Sequence, residues 1–340
     1  MAFRFIDGFD HYTTVAAMAE KWTTCYGNAA PNQDGRRSGS LAMATGGSYG
    51  YVLRTIDDQS TWVIGFAFCS ASAPTYERTF LSLYDSSGSV QVSFTMTTTG
   101  IIRAYRGEMS SLLAAASVAI SNGAWGYLEF KSVIADSSGS VEVRLNGATI
   151  LTFTGDTKNS SSLATACSFR IGGSANGAGS YLIDDLYVCD ATGTSNNDFL
   201  GDVRVDTLLP TGAGASTQFT PVGNASNYEN VCDASSDDDT TYNEADTADS
   251  ADTFVFDDLS LLGADVFGVQ ANIVARKDDA GTRTMAPMAT IDSTDYAGAA
   301  QSLGDSYADL THVWETNPAT SSSWTESDIN GAEFGYEVAA

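Results

Sequence analysis

Cleavage of a glycosidic bond takes two carboxyl groups roughly 5 to 9.5 Å apart, and a strand reading Glu-x-Asp-x-x-Glu would hold such acids on one face of a sheet. The nearest approach in this chain is Glu326-Ser-Asp328-Ile-Asn-Gly331, which ends in glycine where the third acid belongs. It follows Trp324 in Ser/Thr-rich turn sequence, so helix or turn capping is the expected use of Glu326 and Asp328. Nucleophilic catalysis finds no better support. There are two histidines, no Gly-x-Ser-x-Gly elbow and no Cys beside a His. His11 in FDHYTT reads as part of an N-terminal turn and His312 in LTHVWE as a strand surface residue. These absences lead to the expectation of a chain without enzymatic activity, with no catalytic residue assigned.

Hard-cation chemistry is better supplied, because carboxylates and backbone carbonyls are plentiful. Asp7 and Asp10 in FIDGFD would join Asp184 and Asp185 in YLIDDLYV as calcium ligands if the first and last strands of their domain pair. The run Asp237-Asp238-Asp239 is a second candidate; neither has EF-hand spacing. For sugar recognition, Tyr49, Tyr51, Trp62 and Tyr76 could present flat aromatic faces, in competition with core packing. The Gly-rich stretch GGSANGAG, Gly172 to Gly179, has no Lys and no following helix, so it is a strand connection that could line a ligand rim and not a phosphate loop.

The elements that must position these groups are strands. YGYVLRTI, TWVIGFAFCS, RTFLSLY, VQVSFTM, IIRAYRG, WGYLEFKSVI, VEVRLNG, TILTFTG, SFRIGG and YLIDDLYVCD are short, β-branched or aromatic, and separated by turn residues. Val90, Val92 and Phe94 alternate with Gln91 and Ser93, and Val141, Val143 and Leu145 with Glu142 and Arg144, so each strand offers one apolar face that a second sheet must cover. Two stretches compete as helices: Thr14 to Trp22, with Val15, Met18 and Trp22 at helical spacing, and the Ala/Leu-rich Ser110 to Ala119. The hexapeptide DSSGSV occurs at Asp85 to Val90 and again at Asp136 to Val141. Both copies are expected to be hairpin turns, with Gly88 or Gly139 at positive φ.

The expected fold is all-β, two β-sandwich jelly-roll domains in tandem: residues 1–192, a turn-rich linker over 193–204, and a second β-sandwich over 205–340 that opens with VRVDTLLP. Cys232 to Ala251 reads as a long acidic surface loop or flap. The net charge of -26, from 42 acidic and 16 basic residues, opposes binding to nucleic acid and to anionic membranes. Five scattered cysteines form no C-x-x-C pair, which argues against a disulfide framework or zinc site and for a reducing site of synthesis. MAFRFIDGFDHY lacks the apolar run of a secretory signal, and no later stretch has the length of a membrane span.

The order WVIGFAF, FLSLYDSSGSVQVSF, WGYLEFKSVIADSSGSVEVRLNGATILTFTGDT, FRIGG and YLIDDLYVCD resembles a concanavalin A-like, laminin G-type jelly roll over residues 1 to about 192. Trp125 to Asp156, with its Asn146-Gly147 hairpin, carries most of that resemblance. The opening F-x-D-x-F-D-H-Y and the remainder, from NNDFLGDVRVDTLLPTGAG to the closing WETNPATSSSWTESDINGAEFGYEV, are similar to tailed-phage virion structural proteins. The resemblance implies a structural protein on the capsid or tail surface, made in the host cytoplasm, partnered by other virion proteins, forming homo-oligomers, and touching host glycans during adsorption. The alternatives are a carbohydrate-binding receptor module of a tail fibre and a glycan depolymerase.

Overall fold

In the computed structural model, which describes residues 2–32, 34–159, 162–173, 180–259 and 263–339, the chain is all-β. It divides into two compact units, Met1–Val205 and Asp206–Ala340.

Unit one contains β1 (Phe3–Asp7), α1 (Val15–Lys21), β2 (Thr24–Asn32), β3 (Ala42–Gln59), β4 (Thr61–Ser72), β5 (Arg78–Tyr84), β6 (Val90–Met96), β7 (Ile101–Arg106), β8 (Ser111–Ala119), β9 (Trp125–Val133), β10 (Gly139–Leu145), β11 (Ala148–Gly155), β12 (Ala166–Gly172) and β13 (Ser180–Cys189). The strands follow one antiparallel path, β11-β10-β9-β4-β13-β3-β12-β5-β6-β7-β8, with β1 on β13 and β2 on β3. The long β3 makes a sandwich of this path. Its start, Met43 to Thr45, pairs with β13, and its end, Tyr51 to Gln59, pairs with β12. One layer is therefore built around β10, β9, β4 and β13, and the other around β12, β5, β6 and β7. The two path ends approach where Ser117 Oγ donates to the Ile150 carbonyl.

Alternation supplies the core between the layers. Trp62, Ile64, Phe66 and Phe68 of β4 meet Phe80, Leu83, Phe94, Phe130 and Phe169, all at most 1 % exposed. The helix expected over Thr14 to Trp22 forms as α1, with Thr14 as its N-cap and Met18 and Trp22 buried, but Val15 stays exposed. The other helix candidate is corrected: Ser111–Ala119 is strand β8. A sequence without a polar helical face gains more by completing the ladder with β7.

The two DSSGSV copies are not equivalent. Asp85 Oδ1 accepts from the Ser87 and Ser89 N–H groups, and Gly88 takes φ 81°, as a tight hairpin needs. Gly139 does not take positive φ; it already belongs to β10, where a side chain would strike Thr157. Asn146 and Gly147 take φ 50° and 78°, the pair of values that a two-residue hairpin turn requires. The segment expected as a linker, 193–204, is fastened to unit one. Lys131 pairs with Asp198 at 3.0 Å, Gly201 N–H donates to Glu129, and the Val205 N–H donates to Asp185. VRVDTLLP is accordingly not a strand, and the next one begins only at Pro210.

Unit two contains β14 (Pro210–Thr217), β15 (Thr220–Val222), β16 (Tyr242–Glu244), β17 (Ala251–Phe256), β18 (Val269–Ala275), β19 (Thr284–Ile291), β20 (Thr294–Ala297), β21 (Gln301–Ser302), β22 (Ala308–Trp314), α2 (Glu326–Gly331) and β23 (Glu333–Val338). Its main sheet runs β14-β17-β23-β19-β20, with β21 on β19, and Trp314 of the β18–β22 pair packs on Phe334 of the main sheet. The acidic stretch from Cys232 to Ala251 is tied down at its middle, where it contributes strand β16. Asn230 Nδ2 reaches the Tyr242 carbonyl, and Asn243 Nδ2 reaches the Tyr336 hydroxyl.

The N-terminus of unit one is held by a buried ion pair, Lys21 Nζ to Asp7 Oδ2 at 3.6 Å, with both side chains at most 4 % exposed. Tyr12 Oη and Trp22 Nε1 also donate to Asp7 Oδ2, and the Phe9 N–H to Oδ1. Burial alone would raise the Asp7 carboxyl, but Lys21, His11 and these hydrogen bonds outweigh it and hold it below the ordinary value. Lys21→Met leaves that carboxylate buried without its cation. Chemical denaturation is expected to show a loss of about 3 kcal/mol, whereas a loss within error of zero would show that the hydrogen bonds alone suffice.

Candidate functional site

Strand alternation gives the second layer of unit one an outward face made almost wholly of polar side chains. Across it runs one row, Leu53 on β3, Arg170 on β12, Ser82 on β5, Ser93 on β6 and Tyr105 on β7, each opposite the next in register. A second row has Tyr26 on β2 opposite Tyr51 on β3, which is opposite Gly172 on β12. Beyond the bulge in β5 this row continues as Thr79, Thr95 and Arg103. Gly172 takes φ 111°, and a side chain there would strike the Gly50 carbonyl, so this crossing requires glycine.

Two carboxylates organise the rows. Glu108 accepts from Thr79 Oγ1 at 2.8 Å and Arg170 Nη2 at 3.2 Å, and from Ser82 Oγ at 3.3 Å. Glu77 accepts from Thr95 Oγ1, Tyr105 Oη and Arg103 Nη1, at 2.6, 2.8 and 2.6 Å. The Arg170 guanidinium lies between two rings, 5.4 Å from the Tyr51 centroid and 5.2 Å from that of Tyr84, and its Nε–H has no hydrogen-bond partner. The Tyr26 and Tyr51 rings stack at 5.2 Å, with Tyr26 52 % exposed. Burial is the main reason that the Tyr84 phenol is pushed up to about 12; Arg170 opposes the shift and Glu108 adds to it. At neutral pH that phenol keeps its proton beside a guanidinium and a carboxylate. The face thus offers an aromatic stack, a protonated phenol, and the partly exposed carboxylates of Glu77 and Glu108.

Of the residues expected to meet a sugar, Tyr51 is on this face. Trp62 is a core residue, 1 % exposed, with Nε1 bonded to the Gln59 carbonyl. Tyr76 is exposed in the β4–β5 connection beside Glu77. The side chain of Tyr49 and residues 174–179 of the Gly-rich loop lie outside the described residues. Tyr26, Tyr84, Glu77, Glu108, Arg103 and Arg170 escaped the sequence reading. The signal was present in FRIGG and IIRAYRG, where Arg170, Arg103 and Tyr105 alternate with core residues and so point outward.

The acids expected as calcium ligands are each engaged by the protein's own groups. β1 does pair with β13, yet Asp7 is engaged by Lys21, Tyr12 and Trp22 on its own side. Asp10 accepts the Leu41 N–H, and Arg37 holds Asp185 through both carboxylate oxygens. Asp184 accepts the Arg36 and Asp185 N–H groups. Among the described residues no group of three or more His, Cys, Asp and Glu side chains could hold a metal ion. In the Asp237-Asp238-Asp239 run, Asp237 binds Thr241 and Asp239 binds Arg276 and Tyr307, so these acids are not gathered either. Asp328 is the N3 residue of a capping box with Thr325 at the start of α2. Among the described residues no helix is long and apolar enough to cross a membrane.

No family model and no curated protein matches the chain. Among solved structures it is similar to an alginate lyase, at 10 % identity over 55 % of this chain and 96 % of that one, with a TM-score of 0.41. It is similar to a cellulose-induced protein at 15 % identity over 54 % and 96 %, with a TM-score of 0.41. A Trypanosoma rangeli sialidase matches at 12 % identity over 44 % of this chain and 25 % of its own, with a TM-score of 0.35. The expectation of a non-enzymatic chain is corrected here. Two of these similar structures are enzymes, and a missing motif is in itself no ground for denying this chain an activity.

Burial, then Asp185 and Asp10, push the Asp184 carboxyl up to about 7, against the two N–H donors that lower it. In the unfolded chain it ionises near 3.8. Between these values the folded state keeps a proton that the unfolded state has lost, so stability falls as pH rises, by up to about 1.4 kcal/mol per pH unit. Denaturation midpoints measured from pH 4 to pH 7 should show this decline in the native chain and a flatter profile in Asp184→Asn. Equal slopes in both would remove Asp184 as its source.

Proposed function

We propose that this chain binds a glycan across the outward face of β2, β3, β12, β5, β6 and β7. The observation that carries this reading is the exposed Tyr26–Tyr51 stack, in register with a row whose Arg170 is held between Tyr51 and Tyr84. Sugar rings present apolar C–H faces and hydroxyl rims; an aromatic platform beside fixed donors and acceptors complements both. The names of the structurally similar proteins suggest the probes: alginate, cello-oligosaccharides and sialylated glycans. Calorimetry should detect binding to at least one of them, and Tyr26→Ala or Tyr51→Ala should weaken it by about tenfold, 1.4 kcal/mol. Binding that both variants leave unchanged would move the site elsewhere.

Tyr84 favours a second reading, in which the bound glycan is also processed. A protonated phenol beside a guanidinium and a carboxylate can give its proton to a leaving oxygen in the course of bond cleavage and recover one from water afterwards. Shortened products should then accumulate, and Tyr84→Phe should reduce their release by about 100-fold with affinity unchanged. Release at the native rate by Tyr84→Phe would exclude the phenol from the chemistry.

The virion setting is a separate proposal, supported by the sequence resemblance to tailed-phage structural proteins. Immunogold labelling of phage particles should decorate head or tail, whereas particles that carry no label would contradict it.

A further inference from the structure

The second row has two unlike ends. At one is the Tyr26–Tyr51 stack. At the other, beside the β6–β7 hairpin, is an open depression of about 310 Å³ lined by Glu77, Thr97, Thr98, Thr99, Ile101 and Arg103. Thr98 and Thr99 are exposed, and Thr97 Oγ1 and Thr99 Oγ1 lie 3.1 Å apart. The Arg103 Nη1 is committed to Glu77, while its Nε–H has no hydrogen-bond partner. Exposed hydroxyls and a fixed carboxylate make this a polar pocket able to hold a sugar unit by its hydroxyl rim.

From β2 to β7 the path passes β3, β12, β5 and β6, five steps of about 4.8 Å, about 24 Å in all, or roughly five sugar units laid end to end. We propose that the depression is a second subsite of the same groove, and that the ligand is a linear oligosaccharide long enough to reach it from the tyrosine stack. This rests on the reading of the face as a glycan surface. Linking two weak subsites through one chain makes the second contact intramolecular, so affinity should climb steeply once the ligand spans both and then level off.

The test is a calorimetric ladder of oligosaccharides of about two to eight units, chosen to bracket that span, from each of the three probe glycans. Affinity should rise at least tenfold between the shortest member and about the fifth unit and then stay flat. Thr98→Trp, which fills the depression without touching the Glu77 hydrogen bonds, should abolish that gain and leave the shortest member bound as before. Arg103→Gln should also remove the gain, and the threonine variant keeps the test decisive if the arginine variant fails to fold. Affinity independent of length, or variants that weaken short and long ligands alike, would overturn the second subsite while leaving the groove. No binding at any length would overturn the glycan reading itself.

Discussion

Strand β6 sets the main constraint on unit one. Its outward side chains, Gln91, Ser93 and Thr95, are fully buried and polar. Buried polar groups left without partners cost too much to persist, so neighbouring chain must fold over them. Asp85, Asn159 and Leu163 satisfy Gln91, the Gly107–Met109 turn satisfies Ser93, and Glu77 satisfies Thr95. These residues border the face on which the glycan is proposed to bind. The requirement that buries a hydroxyl row also brings Glu77 to Arg103, while Glu108 joins Thr79 and Ser82 to Arg170.

The other layer of the sandwich shows the opposite use of an outward face. There Tyr127 and Tyr187 stack at 6.4 Å, Tyr187 Oη donates to the buried Glu129 at 2.7 Å, and the 198–205 segment lies across them. Arg36 and Arg37 hold that cover through Asp202 and Asp185. This face is closed by the protein's own chain. The face that runs from β2 through β3, β12, β5 and β6 to β7 keeps Tyr26, Glu108 and Arg103 partly open to solvent, which is why the ligand site is placed there.

Much of the fold could be read from alternation alone. The strands around Val92, Phe94, Val141 and Val143 and the Asn146-Gly147 turn needed only period two and turn chemistry. The site was less accessible to such reading, for physical reasons. Trp62 and Tyr51 look alike as aromatic residues in strands, and only the phase of each strand against the core decides which one faces outward. Asp184 and Asp185 looked like cation ligands because Arg36 and Arg37, about 150 positions away in the chain, reach them only through the fold. Gly139 repeats the setting of Gly88 in sequence, yet close approach to Thr157 explains it instead of positive φ. Glu108 gave no local signal, since its partners come from β5 and β12.

The placement of a glycan on one particular face is tested most directly by a crystal structure of the chain with the longest oligosaccharide that binds. The account predicts sugar density running from the Tyr26–Tyr51 stack, past Arg170 and Glu108, to Glu77 and Arg103. Sugar density over Tyr127 and Tyr187, or on unit two, with this face empty, would contradict it.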